Sequence, residues 1–99
     1  MDNHTDLGPT HTPPVPAWAA PDTSPEWDSL TNEGGPLATW ERTIGTDVWI
    51  ACDDTIQDGR WVRSPAAIYF SEPPRDGIDP AAARRMAAQL LNAADLLDG

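Results

Sequence analysis

Cys52 is the sole cysteine of the 99 residues. No disulfide can therefore close within one chain, and the fold must rest on its apolar core. Lysine is absent. All six bases are arginine, set against sixteen Asp and Glu, for a formal charge of −10. Residues 1–35 hold six of those acids and no base. Phosphate neutralisation needs clustered Lys or Arg, so direct nucleic-acid binding is not expected. A partner with a basic surface is compatible with this balance. No run reaches the ~18 apolar residues of a membrane span, so no membrane partner is expected. The start, MDNHTDLGPT, lacks the basic and apolar regions of a signal peptide, which predicts a cytoplasmic protein. The only histidines, His4 and His11, have no cysteine or third histidine near them, and no metal site is expected there.

Proline, by contrast, is plentiful at one end. Seven of the eleven prolines fall within residues 1–36. Such a segment keeps neither a helix nor a sheet ladder. Residues 1–36 therefore read as an acidic arm, largely disordered or extended. Two tryptophans interrupt it, Trp18 in PVPAWAAP and Trp27 in TSPEWDSL. Ser24 and Pro25 suit the N-cap and first position of a short helical turn. A solvated tail has little use for tryptophan, so the arm either folds back on its own domain or docks on a partner. Asn32-Glu33-Gly34-Gly35-Pro36 closes it as a joint.

Residues 37–99 read as a β-β-β-α domain. Gly45-Thr46 fits a two-residue hairpin turn, and Asp58-Gly59 is a stronger hairpin signal because both central residues tolerate positive φ. The expected strands are 38–44, 47–57 and 60–70. Pro65 makes the third an edge strand or a bulged one. Alternation puts Val48, Ile50, Cys52 and Ile56 on one face and Trp49 and Ala51 on the other. The two-residue turn would set Trp40, Arg42 and Ile44 beside Trp49, with Arg42 opposite Trp49 as a cation–π pair. The second hairpin pairs Ile56 with Trp61 and Asp54 with Arg63.

The chain then runs IDPAAARRMAAQLLNAADLLDG. Asp79 is a good N-cap, Pro80 suits the first helical position, and Gly99 falls where a C-cap belongs. One wide apolar stripe, with Met86, Leu90 and Leu97, predicts packing on the sheet. Leu96 lands among the polar residues. Ala83, Ala87 and Ala94 form a strip of small residues that permits close approach to the sheet or a second helix. Arg84 and Arg85 come early, whereas Asp95 and Asp98 lie in the last turn, opposite to what the helix dipole favours. The fold class is thus α+β: a three-stranded antiparallel meander packed by one C-terminal helix, with a Pro-rich N-terminal arm.

DVWI, DGRWVR and ARRMAAQLLNAADLLDG resemble the C-terminal portion of small proteins of actinobacteria and their bacteriophages. Those proteins also end in a sheet and an Ala/Leu helix. The resemblance covers roughly residues 47–98 and implies a bacterial or phage origin, in the cytoplasm of a bacterial host. It brings no activity with it.

Catalytic residue patterns are sparse. Cys52 lies on an apolar strand face, where a thiol is core rather than nucleophile. Asp53 and Asp54 are neighbours on a strand and point to opposite faces, so they form no dyad. Phosphate loop, nucleophile elbow and metal spacing are all missing. The expectation is a non-enzymatic interaction module without a cofactor. It binds a host or phage protein, or itself as a homodimer, through the second sheet face and the arm. The expected contact residues are Trp18, Trp27, Trp40, Arg42, Ile44, Trp49 and Leu96. An acidic inhibitor that mimics DNA or caps a basic surface is the alternative. A phage structural or assembly component is the third.

Overall fold

The structure, a computed structural model, describes residues 12–28 and 36–99. Five strands and one helix follow in order: β1 (Glu26–Asp28), β2 (Leu37–Thr43), β3 (Val48–Gln57), β4 (Arg60–Arg63), β5 (Ala67–Phe70) and α1 (Pro80–Asp98). All pairings are antiparallel, in the order β1-β2-β3-β4, with β5 also pairing β3. The α+β class stands, but the sheet has five strands rather than three.

The difference comes from both ends of the meander. The expected third strand divides at Pro65. Arg63 pairs with Asp54 and Ala67 with Ala51. Three residues, Ser64 to Ala66, thus face two, Cys52 and Asp53, which is a one-residue bulge around a proline that cannot donate to the ladder. The Ser64 N–H donates to the Asp53 carbonyl at 2.8 Å, and the Asp53 N–H donates to Ser64 Oγ at 2.9 Å. At the other end, Glu26–Asp28 is a strand and not a helical turn. It pairs with Leu37–Thr39 at the edge of β2. An N-cap at Ser24 is worth only about 1 kcal/mol, and three ladder pairs with a buried Pro25 outweigh it.

The β3–β4 hairpin forms as the sequence predicts. Asp58 and Gly59 take φ of 53° and 79°, the left-handed pair that a type I′ turn needs. Ile56 faces Trp61 and Asp54 faces Arg63. The β2–β3 hairpin departs by one residue. Thr43 pairs with Trp49 and Arg42 with Ile50. The Ile44 N–H donates to the Val48 carbonyl at 2.9 Å, which leaves the three-residue loop Gly45-Thr46-Asp47. A two-residue turn with glycine first requires positive φ at that glycine, and Gly45 is not in that region.

A one-residue shift moves a whole strand's side chains to the other face. Trp40, Arg42 and Ile44 therefore lie with Val48, Ile50 and Cys52, and not with Trp49. The shift completes the core. Ala38, Trp40, Val48 and Ile50 are fully buried, with Cys52 at 4% exposure.

Helix α1 packs on this same face, through β3 and β5. Asp79 accepts the Ala82 N–H at 2.8 Å, Pro80 opens the helix, and the Gly99 N–H donates to the Asp95 carbonyl at 2.9 Å. Ala93 is buried, and Met86, Leu90, Leu96 and Leu97 pack partly buried around it. Leu96 is therefore at the margin of the core. Gln89 holds the β2–β3 loop, its Oε1 accepting the Asp47 N–H at 3.3 Å. Leu90→Ala should cost about 2 kcal/mol, the low end for a leucine truncation because Leu90 is only partly buried. Urea unfolding reads this directly. A midpoint unchanged from wild type would show that α1 is not packed on the sheet.

Candidate interaction surfaces

Strand alternation and the bulge divide the side chains between two faces. The first, called here the covered face, carries Trp40, Val48, Ile50, Cys52 and Asp54. Helix α1 covers one end of it. Residues 12–20 cover the middle as a strap, with Trp18 and Ala19 buried in the same cluster as Trp40 and Ala93. Pro13 and Pro16 are buried too. One turn lies within the strap, closed by Ala19 N–H to the Pro16 carbonyl, and a second follows it, closed by Thr23 N–H to the Ala20 carbonyl, both at 3.0 Å.

A segment without a ladder must place its carbonyls elsewhere. Two arginines of the covered face receive them. Arg42 Nη1 donates to the Trp18 carbonyl at 2.9 Å, and Arg63 Nη2 donates to the Pro14 carbonyl. Arg42 thus holds the strap instead of stacking on Trp49.

Arg63 also belongs to the one buried charged group among the described residues. Asp54 is 1% exposed. Arg63 Nε and Nη2 donate to its two oxygens, each at 2.9 Å, and Trp40 Nε1 donates to Oδ2 at 2.8 Å. The guanidinium lies 5.9 Å from the Trp40 ring centroid. The hydrogen bond to Asp54 raises the Arg63 pKa further above its ordinary value. The Asp54–Arg63 pairing is legible in the hairpin register. The Trp40 link is not, because it depends on the one-residue shift. Every polar atom of the Asp54 carboxylate is engaged, so the group fastens strap to sheet.

Cys52 is buried beside it. Burial pushes its thiol pKa above the ordinary 9.0, Arg63 opposes this, and Asp54 and Asp53 add to it. The native protein thus holds the thiol proton more tightly than the unfolded chain. Stability from this group is complete below pH 9.0 and is lost as pH rises through the native value. Wild-type stability should therefore fall above pH 9.0 more steeply than that of Cys52→Ala, measured by denaturant midpoint against pH. Parallel slopes would contradict the burial of the thiol.

The second face is open. It carries Glu26, Thr39, Glu41, Trp49, Ala51, Asp53, Val62 and Tyr69 by register. No described element packs on it. Trp49 and Tyr69 are cross-strand partners whose rings stack at 5.9 Å and 13°. Trp49 is half-buried, whereas Tyr69 is 47% exposed and Val62 37%. Glu26, Glu41 and Asp53 are exposed beside them. Asp53 accepts a hydrogen bond from Thr39 Oγ1 at 2.8 Å.

The expected contact residues are thus distributed unevenly. Trp49 alone lies on the open face. Trp18 and Trp40 are core, Arg42 is a tether, and Ile44 and Leu96 line the core margin. Trp27 is 53% exposed at the far end of the covered face, where its ring meets Trp61 at 5.8 Å and 53°. Tyr69 was not assignable from sequence, since the bulge at Pro65 decides where it points, whereas Val62 follows from the β3–β4 register, which sets it opposite Thr55. His4 and His11 lie outside the described residues. Among the described residues no group of three potential metal ligands exists, and no helix is long and apolar enough to cross a membrane.

Relatives place the chain among actinobacterial proteins. It is 50% identical over 101 residues to the uncharacterized protein MT2723 of Mycobacterium tuberculosis strain CDC 1551 / Oshkosh. The match to the uncharacterized protein Rv2645 of strain ATCC 25618 / H37Rv is of the same extent. The aligned region covers 94% of this chain and 69% of each relative. The chain belongs to their family. No family model matches it, and no solved structure does. The family's mycobacterial members extend beyond the aligned region, and half-identity across nearly the whole chain carries its fold to that part of them.

Proposed function

We propose that the protein is a non-enzymatic interaction module of bacterial or phage origin that binds another protein through the open sheet face. The observation that carries this reading is the Trp49–Tyr69 stack, held by the ladder on a face that no described element packs against. A rigid aromatic pair offers large contact area at little cost in side-chain entropy, and such pairs anchor binding. Ala51, the next residue of β3 on that face, adjoins it, and Val62 lies further along the same face opposite Thr55. The carboxylates of Glu26, Glu41 and Asp53 favour a partner with basic side chains at its rim.

The thiol and the buried carboxylate do not argue for catalysis. Cys52 is in the core with its pKa raised, and Asp54 is fully engaged with Arg63 and Trp40. The described part of the arm serves its own domain, so Trp18 is not offered to a partner.

The immobilised 99-residue chain tests the reading against an actinobacterial lysate. Proteins retained by wild type should be lost with Trp49→Ala/Tyr69→Ala, provided the variant keeps its circular dichroism. Equal retention by both would show that the open face does not bind the partner. The acids of that face also support a second reading, an inhibitor that caps a basic surface. The two differ in salt response. Retention that collapses as ionic strength rises from about 0.1 M to 1 M, where the screening length falls from ~10 to 3 Å, favours the acidic cap. Retention that persists favours apolar docking. A bacteriophage assembly component would use the same face, and the retained protein would then be a phage protein.

A further inference from the structure

Helix α1 has more apolar surface than the sheet takes up. Its core side uses Met86, Leu90, Ala93 and Leu97. Next to that side run Ala83, Ala87 and Leu91, at helical spacing of four, and all three are exposed. Leu91 is 66% exposed, the highest value for any large apolar side chain described. Nothing among the described residues lies on this flank.

The charges along the same flank are arranged unusually. The first turn holds no acid and the last turn no base. Arg84 lies seven residues before Leu91 and Asp98 seven after it. Seven residues are close to two turns, so all three fall on one line of the helix. Asp95 lies beside that line, one turn beyond Leu91.

We propose that this flank pairs with the same flank of a second copy of the chain, antiparallel, about a two-fold axis near Leu91. Leu91 then meets its counterpart at the centre, and the alanines allow the helices to approach closely. Arg84 comes opposite Asp98 of the second copy, and the reverse contact is made by symmetry. A parallel pair would set Arg84 against Arg84 and Asp98 against Asp98, which is repulsive. The antiparallel pair also gives Asp98, which the helix dipole disfavours at a C-terminus, a positive neighbour. A surface that is charge-complementary to itself is what singles out a second copy from other occupants. One helix flank is a small interface, so the association is weak and concentration-dependent. The open sheet face is left free by it.

Sedimentation equilibrium of the full chain, from micromolar to millimolar concentration at low salt, tests the proposal. The expected result is a monomer–dimer equilibrium. Leu91→Arg should abolish it, with an unchanged circular dichroism spectrum because Leu91 is exposed. Arg84→Asp and Asp98→Arg should each weaken it. An equimolar mixture of those two variants should form mixed dimers more strongly than either alone. A chain that stays monomeric throughout would overturn the proposal. So would a dimer indifferent to Leu91→Arg, or charge variants that do not complement each other. Trp49→Ala/Tyr69→Ala should leave the equilibrium unchanged, which keeps this test separate from that of the open face.

Discussion

Arg63→Ala should cost about 3–5 kcal/mol, the range for removing one partner of a buried ion pair. Asp54 keeps only 1% exposure, whereas the Arg63 side chain keeps 32%. The two ends of the bridge are therefore unequal. Without Arg63, the carboxylate stays in the core with no opposite charge beside it and only the neutral Trp40 indole N–H donating to it. Without the carboxylate, Arg63 can turn to water. Asp54→Asn should accordingly cost less, about 1–3 kcal/mol, the range for an imperfectly satisfied buried polar group. Arg63→Ala also removes the tether to the Pro14 carbonyl. Limited proteolysis should thus cut residues 12–20 sooner in this variant than in Asp54→Asn. Denaturant unfolding of both variants checks the order. If Asp54→Asn proves the more damaging, the exposed end of the bridge has been misjudged.

Trp40→Ala should be of similar size, about 3–5 kcal/mol, as for a large aromatic truncated in a core. Trp40 is fully buried in the sheet, shares its core cluster with Trp18 of the strap, and reaches the Asp54 bridge through Nε1. Total stability of a domain this size is of order 5–15 kcal/mol, so much of it would be lost. Trp40→Phe separates ring from hydrogen bond. It keeps most of the apolar contact but leaves Asp54 Oδ2 short of one donor, which should cost about 1–3 kcal/mol. A Trp40→Ala variant that melts within a degree or two of wild type would place Trp40 outside the core.

The same residue shows how far the sequence could be read. Local chemistry with one answer was legible. Asp58-Gly59 admits few other turns, and Asp79, Pro80 and Gly99 mark helix ends by their own backbone and side-chain properties. The β2–β3 connection was different. Two- and three-residue loops around Gly45 differ by one position, and both offer an alternating strand. What separates them is the burial gained when Trp40 joins Val48, Ile50 and Cys52, a sum over distant residues that no local pattern holds. The site followed that error. Trp40, Arg42 and Ile44 moved to the covered face, and Tyr69 and Val62 took their place on the open one. Pro65 announced the bulge, but not which side chains would flip across it. The strap was legible only as an alternative, since tryptophan in a proline-rich arm is equally compatible with cis and trans docking.

Trp40 lies on the covered face with Cys52 and the strap, while Trp49 and Tyr69 face the other way. Nuclear Overhauser contacts from the Trp40 ring, in the 99-residue chain, test this arrangement most directly. The expected contacts are from Trp40 to the Cys52 side chain and the core cluster it shares with the strap, and across the strands between Thr43 and Trp49. Contacts from Trp40 to Trp49 and Tyr69, with Arg42 opposite Trp49, would contradict it, because they require the two-residue turn and would put both tryptophans on one face.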